Sequence, residues 1–327
     1  MIKELTVHGY KSVKDLTIDC GQITLLAGEN MSGKTAVMEA LLLGGCSVRF
    51  LDLGAEFSDV YNDRTEEPIS IRTINSHGIS RRVMFYGDGV VILPNRTTDT
   101  FIYLPLAGTS LHQKSNLYIV GSGVFCTGSS SCGSSETKGV SLADGESRLP
   151  DKMDVWVERI TGLSLKHISG DPAGYYSFQR RENGRLIRRT VSSAGIRRAV
   201  KIIYACLASP ENAVICIEQP EAFLSEAAQS ELAKFLYHIT RSGRQVFIET
   251  HSENVFNALR TGIVKKEISA ESVSINYLVF DRKTSATKCN PVKINKYGDL
   301  EGMNDTMTLD GFFDQQMKDL DIMLGLE

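Results

Sequence analysis

No apolar run in the sequence approaches the roughly 18 residues that a membrane-spanning helix needs, so no membrane span is expected. An apolar signal core is missing as well: Met1-Ile2-Lys3-Glu4-Leu5 leads straight into an alternating strand pattern. The expectation is a cytoplasmic protein with reduced thiols. A basic excess is also lacking, since 36 Lys and Arg stand against 39 Asp and Glu for a net charge of −3. That excludes a chain that coats nucleic acid through bulk charge and leaves only a local patch open. Seven cysteines are an odd number, scattered from Cys20 and Cys46 through Cys206, Cys216 and Cys289. Several lie in apolar runs and read as small hydrophobes. Cys126 and Cys132 form the only close pair, with no second Cys or His pair at zinc spacing, so no structural metal is expected. Internal repeats and heptad runs long enough for a coiled coil are absent too.

What remains is an ordinary composition for a soluble chain of 327 residues, 42% hydrophobic and 23% charged, long enough for one large α/β domain or two smaller ones. Strands are expected at 2–7 and 16–18, and a buried strand at 22–27 stops at Gly28. A helix should run from Lys34 to Leu43 and end at Gly44-Gly45. The β-like stretches at 68–74, 82–86, 90–93 and 101–104 resemble antiparallel strands. Segment 121–147 is crowded with Gly, Ser and Thr and reads as a mobile loop or lid. A helix is expected at 153–160, and a hairpin around a two-residue Asn183-Gly184 turn. The remainder alternates: helix 194–207, strand 213–217, helix 226–239, strand 245–249, helix 253–259 and strand 273–281. The division expected is one domain over 1–327, with an N-terminal lobe at about 1–115, a flexible insertion at about 119–147 and a C-terminal lobe at about 150–327.

Gly28-Glu29-Asn30-Met31-Ser32-Gly33-Lys34-Thr35 meets the pattern G-x-x-x-x-G-K-[S/T] in full, between a strand and a helix. In such a P-loop the glycines let successive backbone N–H groups point at one anion, and the helix N-terminus adds partial positive charge. Lys34 would reach the β- and γ-phosphates, and Thr35 would offer its hydroxyl to Mg²⁺. A P-loop also needs an acidic metal partner at a neighbouring strand end, which Val214-Ile215-Cys216-Ile217-Glu218 supplies in Glu218. His251 follows a third apolar strand at the edge where ligands collect in open α/β sheets, and is a candidate γ-phosphate sensor. An Asn-Lys-x-Asp guanine-reading motif is missing, because Asn295-Lys296-Tyr297-Gly298 fails at its last position. ATP is therefore the expected nucleotide.

Three segments together resemble one family: the P-loop, Ile217-Glu218-Gln219-Pro220-Glu221-Ala222-Phe223-Leu224 and Glu249-Thr250-His251-Ser252. These are the ABC-type P-loop ATPases related to the overcoming-lysogenization-defect (OLD) proteins and to repair and chromosome-maintenance ATPases. The family's G-x-N-x-S-G-K-[S/T] is similar to the loop here, with Asn30, Ser32 and Ala36 beside the phosphate-binding residues. Ser192-Ser193-Ala194-Gly195 lies where the family's signature serine and glycine lie. The closing Gly311-Phe312-Phe313-Asp314 is similar to the tail of single-domain ATPases of this group. The resemblance covers roughly residues 1–45 and 190–327 and the middle only loosely. It implies an α/β fold with a mainly parallel central sheet and an antiparallel β subdomain. It further implies a homodimer or higher oligomer in which ATP bridges two subunits, Ser193 and Gly195 of one contacting the γ-phosphate held by the other.

Departures from the family pattern shape the functional reading. Gln219 stands where the water-polarising glutamate usually sits, and general-base help is commonly worth about 10²–10⁴-fold. Some relatives also read E-Q-P-E, so Glu221 takes over that task or merely caps the next helix; the two readings are equally open. No glutamine loop is found, as Asp59 to Arg64 occupies its place without a Gln. About 130 residues between the two halves are too few for a long coiled-coil arm, and too little chain follows His251 for a nuclease domain. Four arginine pairs (81–82, 180–181, 188–189, 197–198) form either a nucleic-acid-facing strip or a solvated face. Two functions follow: an ATP-driven dimerisation switch with slow hydrolysis, in DNA repair or phage defence, or an ATP-binding scaffold that restrains a separate effector such as a nuclease.

Overall fold

The structure is a computed structural model that describes residues 1–45, 57–62, 68–86, 89–93, 100–106, 117–119, 149–167, 176–180, 183–188, 192–301 and 315–325. In chain order it opens with β1 (Ile2–Tyr10), β2 (Val13–Asp19), β3 (Ile23–Gly28), α1 (Lys34–Gly45) and a short α2 (Phe57–Val60). Then come β4 (Ile69–Asn75), β5 (Ser80–Tyr86), β6 (Gly89–Leu93), β7 (Phe101–Leu104) and β8 (Leu117–Ile119). The next group is α3 (Leu149–Thr161), β9 (Leu163–His167), β10 (Tyr176–Arg180), β11 (Leu186–Arg188) and α4 (Ala194–Ala208). After these follow β12 (Val214–Glu218), α5 (Glu226–Thr240), β13 (Gln245–Glu249) and α6 (Glu253–Val264). The last elements are β14 (Val273–Asp281), β15 (Ala286–Val292) and α7 (Gln315–Leu324).

A seven-stranded sheet in the order β15-β14-β3-β13-β12-β7-β8 carries the architecture. Its strands pair in parallel except for the β14–β15 hairpin. Alternate side chains of the central strands feed two different cores, as the two-residue period of a strand demands. Ile23, Leu25, Ile215, Ile217, Val246 and Ile248 join the helices α3 to α6 on one face. Leu26, Val214, Cys216 and Phe247 face α1 and the first strands on the other. That covering of both faces is why β3, β12 and β13 read as unbroken apolar runs. Over α1 lies the antiparallel sheet β2-β1-β4-β5-β6, and β11-β10-β9 makes a third, small antiparallel sheet. The expected α/β class, mainly parallel with antiparallel β, is the class observed.

Several local expectations need correction. Strand 101–104 is not part of the antiparallel set: β7 pairs in parallel with β12, Phe101 opposite Val214. All of its side chains are buried, as in a strand covered on both faces. The helix expected to end at Gly44-Gly45 is α1, whose last residue is Gly45. A Cβ on Gly45 would come within 2.0 Å of the Phe101 ring, so packing also requires glycine there. Asn183-Gly184 is not a two-residue turn either, because the β10–β11 ladder closes with Arg180 N bonded to Arg185 O at 3.1 Å. Gly184 takes the left-handed conformation (φ 65) inside a longer loop. The strands β8, β9 and β15 were unforeseen. The Gly/Ser-rich stretch 121–147, Arg64 and Gly311 to Asp314 lie outside the described residues, while Asp59 falls in α2. No described helix is long and apolar enough to cross a membrane.

Candidate functional site

Parallel strands deliver their C-terminal ends to one edge of the sheet, and β3, β13 and β12 are consecutive neighbours there. The loop after β3 turns at Gly28 (φ 143) and Gly33 (φ 99). A Cβ on Gly28 would lie 2.2 Å from Leu278 O, and one on Gly33 2.3 Å from the Thr287 hydroxyl. Both glycines are thus required by backbone conformation and by close approach. The loop is braced from β15: Thr287 donates its hydroxyl to Ser32 O at 3.1 Å, and its Oγ1 lies 2.7 Å from Ser12 Oγ. Lys34 is buried, with Nζ donating to Gly28 O (3.0 Å) and Glu29 O (2.6 Å) and 3.4 Å from Ser32 Oγ. Burial pulls its pKa down, opposed by Glu249, Glu221 and Glu29. Asn30, Met31 and Thr35 are exposed around this cradle, and Ala36 is buried in α1.

Glu218 and Glu249 are directly opposite one another in the β12–β13 ladder. Their surroundings differ. Both Glu218 oxygens are engaged: Oε1 accepts from the Tyr103 hydroxyl and Oε2 from Leu106 N at 2.9 Å. Arg198 of α4 clamps the backbone around it, donating to Glu218 O, to Gln219 O (3.3 Å) and to Pro105 O (3.0 Å). Glu249 instead accepts from the Thr35 hydroxyl at 2.9 Å through Oε1. Its buried Oε2 has no hydrogen-bond partner among the described residues. Burial pushes the Glu249 carboxyl up to about 7; Glu218 adds to the rise, while the Thr35 bond and Lys34 oppose it. Glu249 is a site residue that the sequence reading missed. Its signal was its place, a carboxylate ending the strand between the P-loop strand and the one that carries Glu218.

Gln219 holds a left-handed backbone (φ 39) and donates its N–H to Glu249 O at 2.7 Å. Glu221 does not cap the following helix, whose N-cap is Ser225. It is buried, and Oε1 accepts from His251 N at 3.0 Å, while Oε2 has no partner among the described residues. The segment carrying Gln219 is therefore tied to the one carrying His251. The His251 ring is exposed; its pKa is lowered by burial of part of the ring and by Lys34, and a hydrogen bond to the Gly28 backbone opposes this. So P-loop, Glu218, Gln219, Glu221, Glu249 and His251 converge on one edge.

Ser193 and Gly195 are tied elsewhere. Ser193 is the exposed N-cap of α4, its hydroxyl accepting from Ile196 N at 3.3 Å. Gly195 is buried, and a Cβ there would stand 2.2 Å from Phe223 O, so α4 rests directly on the loop after Gln219. Among the described residues, two of the paired arginines are not on a solvated face: Arg81 is buried with Nη1 on Gly45 O (2.5 Å), and Arg198 points inward. Arg181 and Arg189 lie outside the described residues. No group of three or more His, Cys, Asp or Glu suited to a metal occurs among the described residues. Mg²⁺ in a P-loop takes its ligands mostly from phosphates, water and one or two side chains. The glycine cradle and the unpartnered Glu249 oxygen suit such an ion with its nucleotide.

A family model described as "AAA domain, putative AbiEii toxin, Type IV TA system" matches residues 133–257. That span holds Ser193, Glu218 and His251 and stops short of the P-loop. No curated protein matches the sequence. Among solved structures, the chain is similar to an SmcHead bound to the C-winged helix domain of ScpA, at 13% identity and a TM-score of 0.62, over 90% of this chain and 98% of that one. It is also similar to an Smc head domain with an extended coiled coil, bound to the C-terminal domain of ScpA and derived from Pyrococcus furiosus. There the identity is 11% and the TM-score 0.61, over 98% of this chain and 99% of that one. At such identities the likeness is one of fold. The chain has the ABC-type P-loop ATPase fold of an SMC head.

Proposed function

We propose that this chain binds ATP with Mg²⁺ on the 28–35 loop and uses the nucleotide as a dimerisation switch that hydrolyses slowly. The observation that supports it best is the Lys34 ammonium, ringed by Gly28 O, Glu29 O and Ser32 Oγ at the start of α1. In this reading Gly28, Asn30, Ser32, Gly33, Lys34, Thr35 and Ala36 take the phosphates, and the metal sits at Thr35 with a carboxylate from the strand ends. Glu218 is the one that the sequence pattern favours. His251 reports the γ-phosphate. Ser193 and Gly195 complete the site of a second copy, which makes each chain half of a composite site. Hydrolysis by attack of water is assisted by Glu221, whose free oxygen can accept a proton, or by Gln219, which can only orient the water. We place the chain among the OLD-like ATPases, in a cytoplasmic role in DNA repair or phage defence.

The second reading, an ATP-bound scaffold holding an effector such as a nuclease, is favoured by Gln219 itself. A side-chain amide cannot take a proton, and the Gln219 main chain is pinned by its backbone N–H bond to Glu249 O in a left-handed conformation. Two measurements decide. Sedimentation of the purified protein with ATP and with ADP should show a dimer only with ATP; an unchanged monomer would remove the switch. Phosphate release by the Gln219→Glu variant separates the readings: a large rise over wild type supports the scaffold, and no change supports catalysis through Glu221.

A further inference from the structure

We propose that Glu249, and not Glu218, is the principal carboxylate on the metal side of the nucleotide site. This deepens the ATP-binding reading and rests on it. Three observations carry it. Glu249 is 4% exposed and touches the P-loop threonine itself, Oε1 to Thr35 Oγ1 at 2.9 Å. Its second oxygen is buried and has no donor among the described residues, so it is open to a cation or to a cation-bound water. Glu218 has no such oxygen, since the Tyr103 hydroxyl and Leu106 N–H take one each.

The topology agrees. In the order β3-β13-β12, Glu249 ends the strand beside the P-loop strand and Glu218 ends the next one out. A threonine hydroxyl can donate its proton to a carboxylate and still offer a lone pair to a hard cation. The Thr35–Glu249 contact leaves Thr35 able to do both. Glu218 keeps a supporting role: it is the Cα partner of Glu249 and joins Tyr103 and the segment at Leu106 to the strand end.

The test compares wild type, Glu249→Gln and Glu218→Gln by titrating a fluorescent, non-hydrolysable ATP analogue with Mg²⁺ and with EDTA. Electron paramagnetic resonance of Mn²⁺ in the nucleotide complex provides a second readout. Gln keeps the size of Glu and an acceptor for Thr35, and Glu249→Asp serves as a folded alternative that shortens the carboxylate. Glu249→Gln should bind metal-free nucleotide at least as well as wild type. It should lose about tenfold or more of the gain from Mg²⁺ and alter the Mn²⁺ spectrum, and Glu249→Asp should lose an intermediate part. Glu218→Gln should keep most of that gain. The assignment is overturned if Glu218→Gln loses the Mg²⁺ gain while Glu249→Gln keeps it, or if both lose it equally. Wild type that binds no analogue under either condition brings down the nucleotide reading itself, a separate failure.

Discussion

The ends of β12 and β13 lie side by side, one Glu facing the other across a ladder, yet they are built for different work. At the β12 end the carboxylate and the carbonyls are tied inward: Glu218 to Tyr103 and Leu106, and the Glu218 and Gln219 carbonyls to Arg198. At the β13 end the bonds run to the P-loop and leave capacity over, through Glu249 on Thr35 and His251 beside Gly28. Between them Glu221 spans the gap by accepting from His251 N. Equivalent positions in adjacent parallel strands thus divide into an end whose carboxylate is fully engaged and an end whose carboxylate keeps an unpartnered oxygen. The division comes from neighbours remote in sequence, Tyr103 and Arg198 on one side and Thr35 on the other.

The largest effect that would sharpen this contrast is expected at Arg198. Arg198→Met strips three carbonyls of a charged donor and should destabilise the fold by about 3 kcal/mol or more, each bond from a charged group being worth about 1.5–3 kcal/mol, read from urea unfolding. A loss below about 1 kcal/mol would mean that the β12 end is not held from α4. Next in size, Tyr103→Phe leaves Glu218 Oε1 short of a donor and should cost about 1–2 kcal/mol with nucleotide affinity unchanged. Affinity falling without a stability change would break the comparison. The smallest effect is at His251. Its folded pKa lies below the ordinary histidine value, so the unfolded chain binds the proton more readily, and stability falls as pH drops through about 6.5. His251→Gln should flatten that part of a melting-temperature profile slightly; an identical profile would show that neither burial nor Lys34 shifts the ring.

Much of the fold was legible because its determinants are local. The P-loop pattern, the apolar runs of β3, β12 and β13 and the helices after them appear within a few residues of where the periodicity places them. What escaped depends on contacts distant in the chain. Strand 101–104 looks like its antiparallel predecessors until its partner β12, more than a hundred residues on, is known. Gly45 reads as a helix stop, and its second role, giving room to the Phe101 ring, shows only in the fold. At the site, Lys34, Glu218 and His251 announce themselves by motif. Thr287 and Ser12, which brace the loop, carry no motif, and Glu249 becomes visible only when strand order puts it next to Thr35.

Isothermal titration calorimetry with Mg²⁺ and a non-hydrolysable ATP analogue tests most directly whether residues 28–35 hold a nucleotide. Wild type should bind one nucleotide per chain, and a folded Lys34→Ala variant should bind at least about tenfold more weakly, a loss of about 1.4 kcal/mol or more. Equal affinity in the two proteins, or no heat of binding from wild type, would contradict a nucleotide site there.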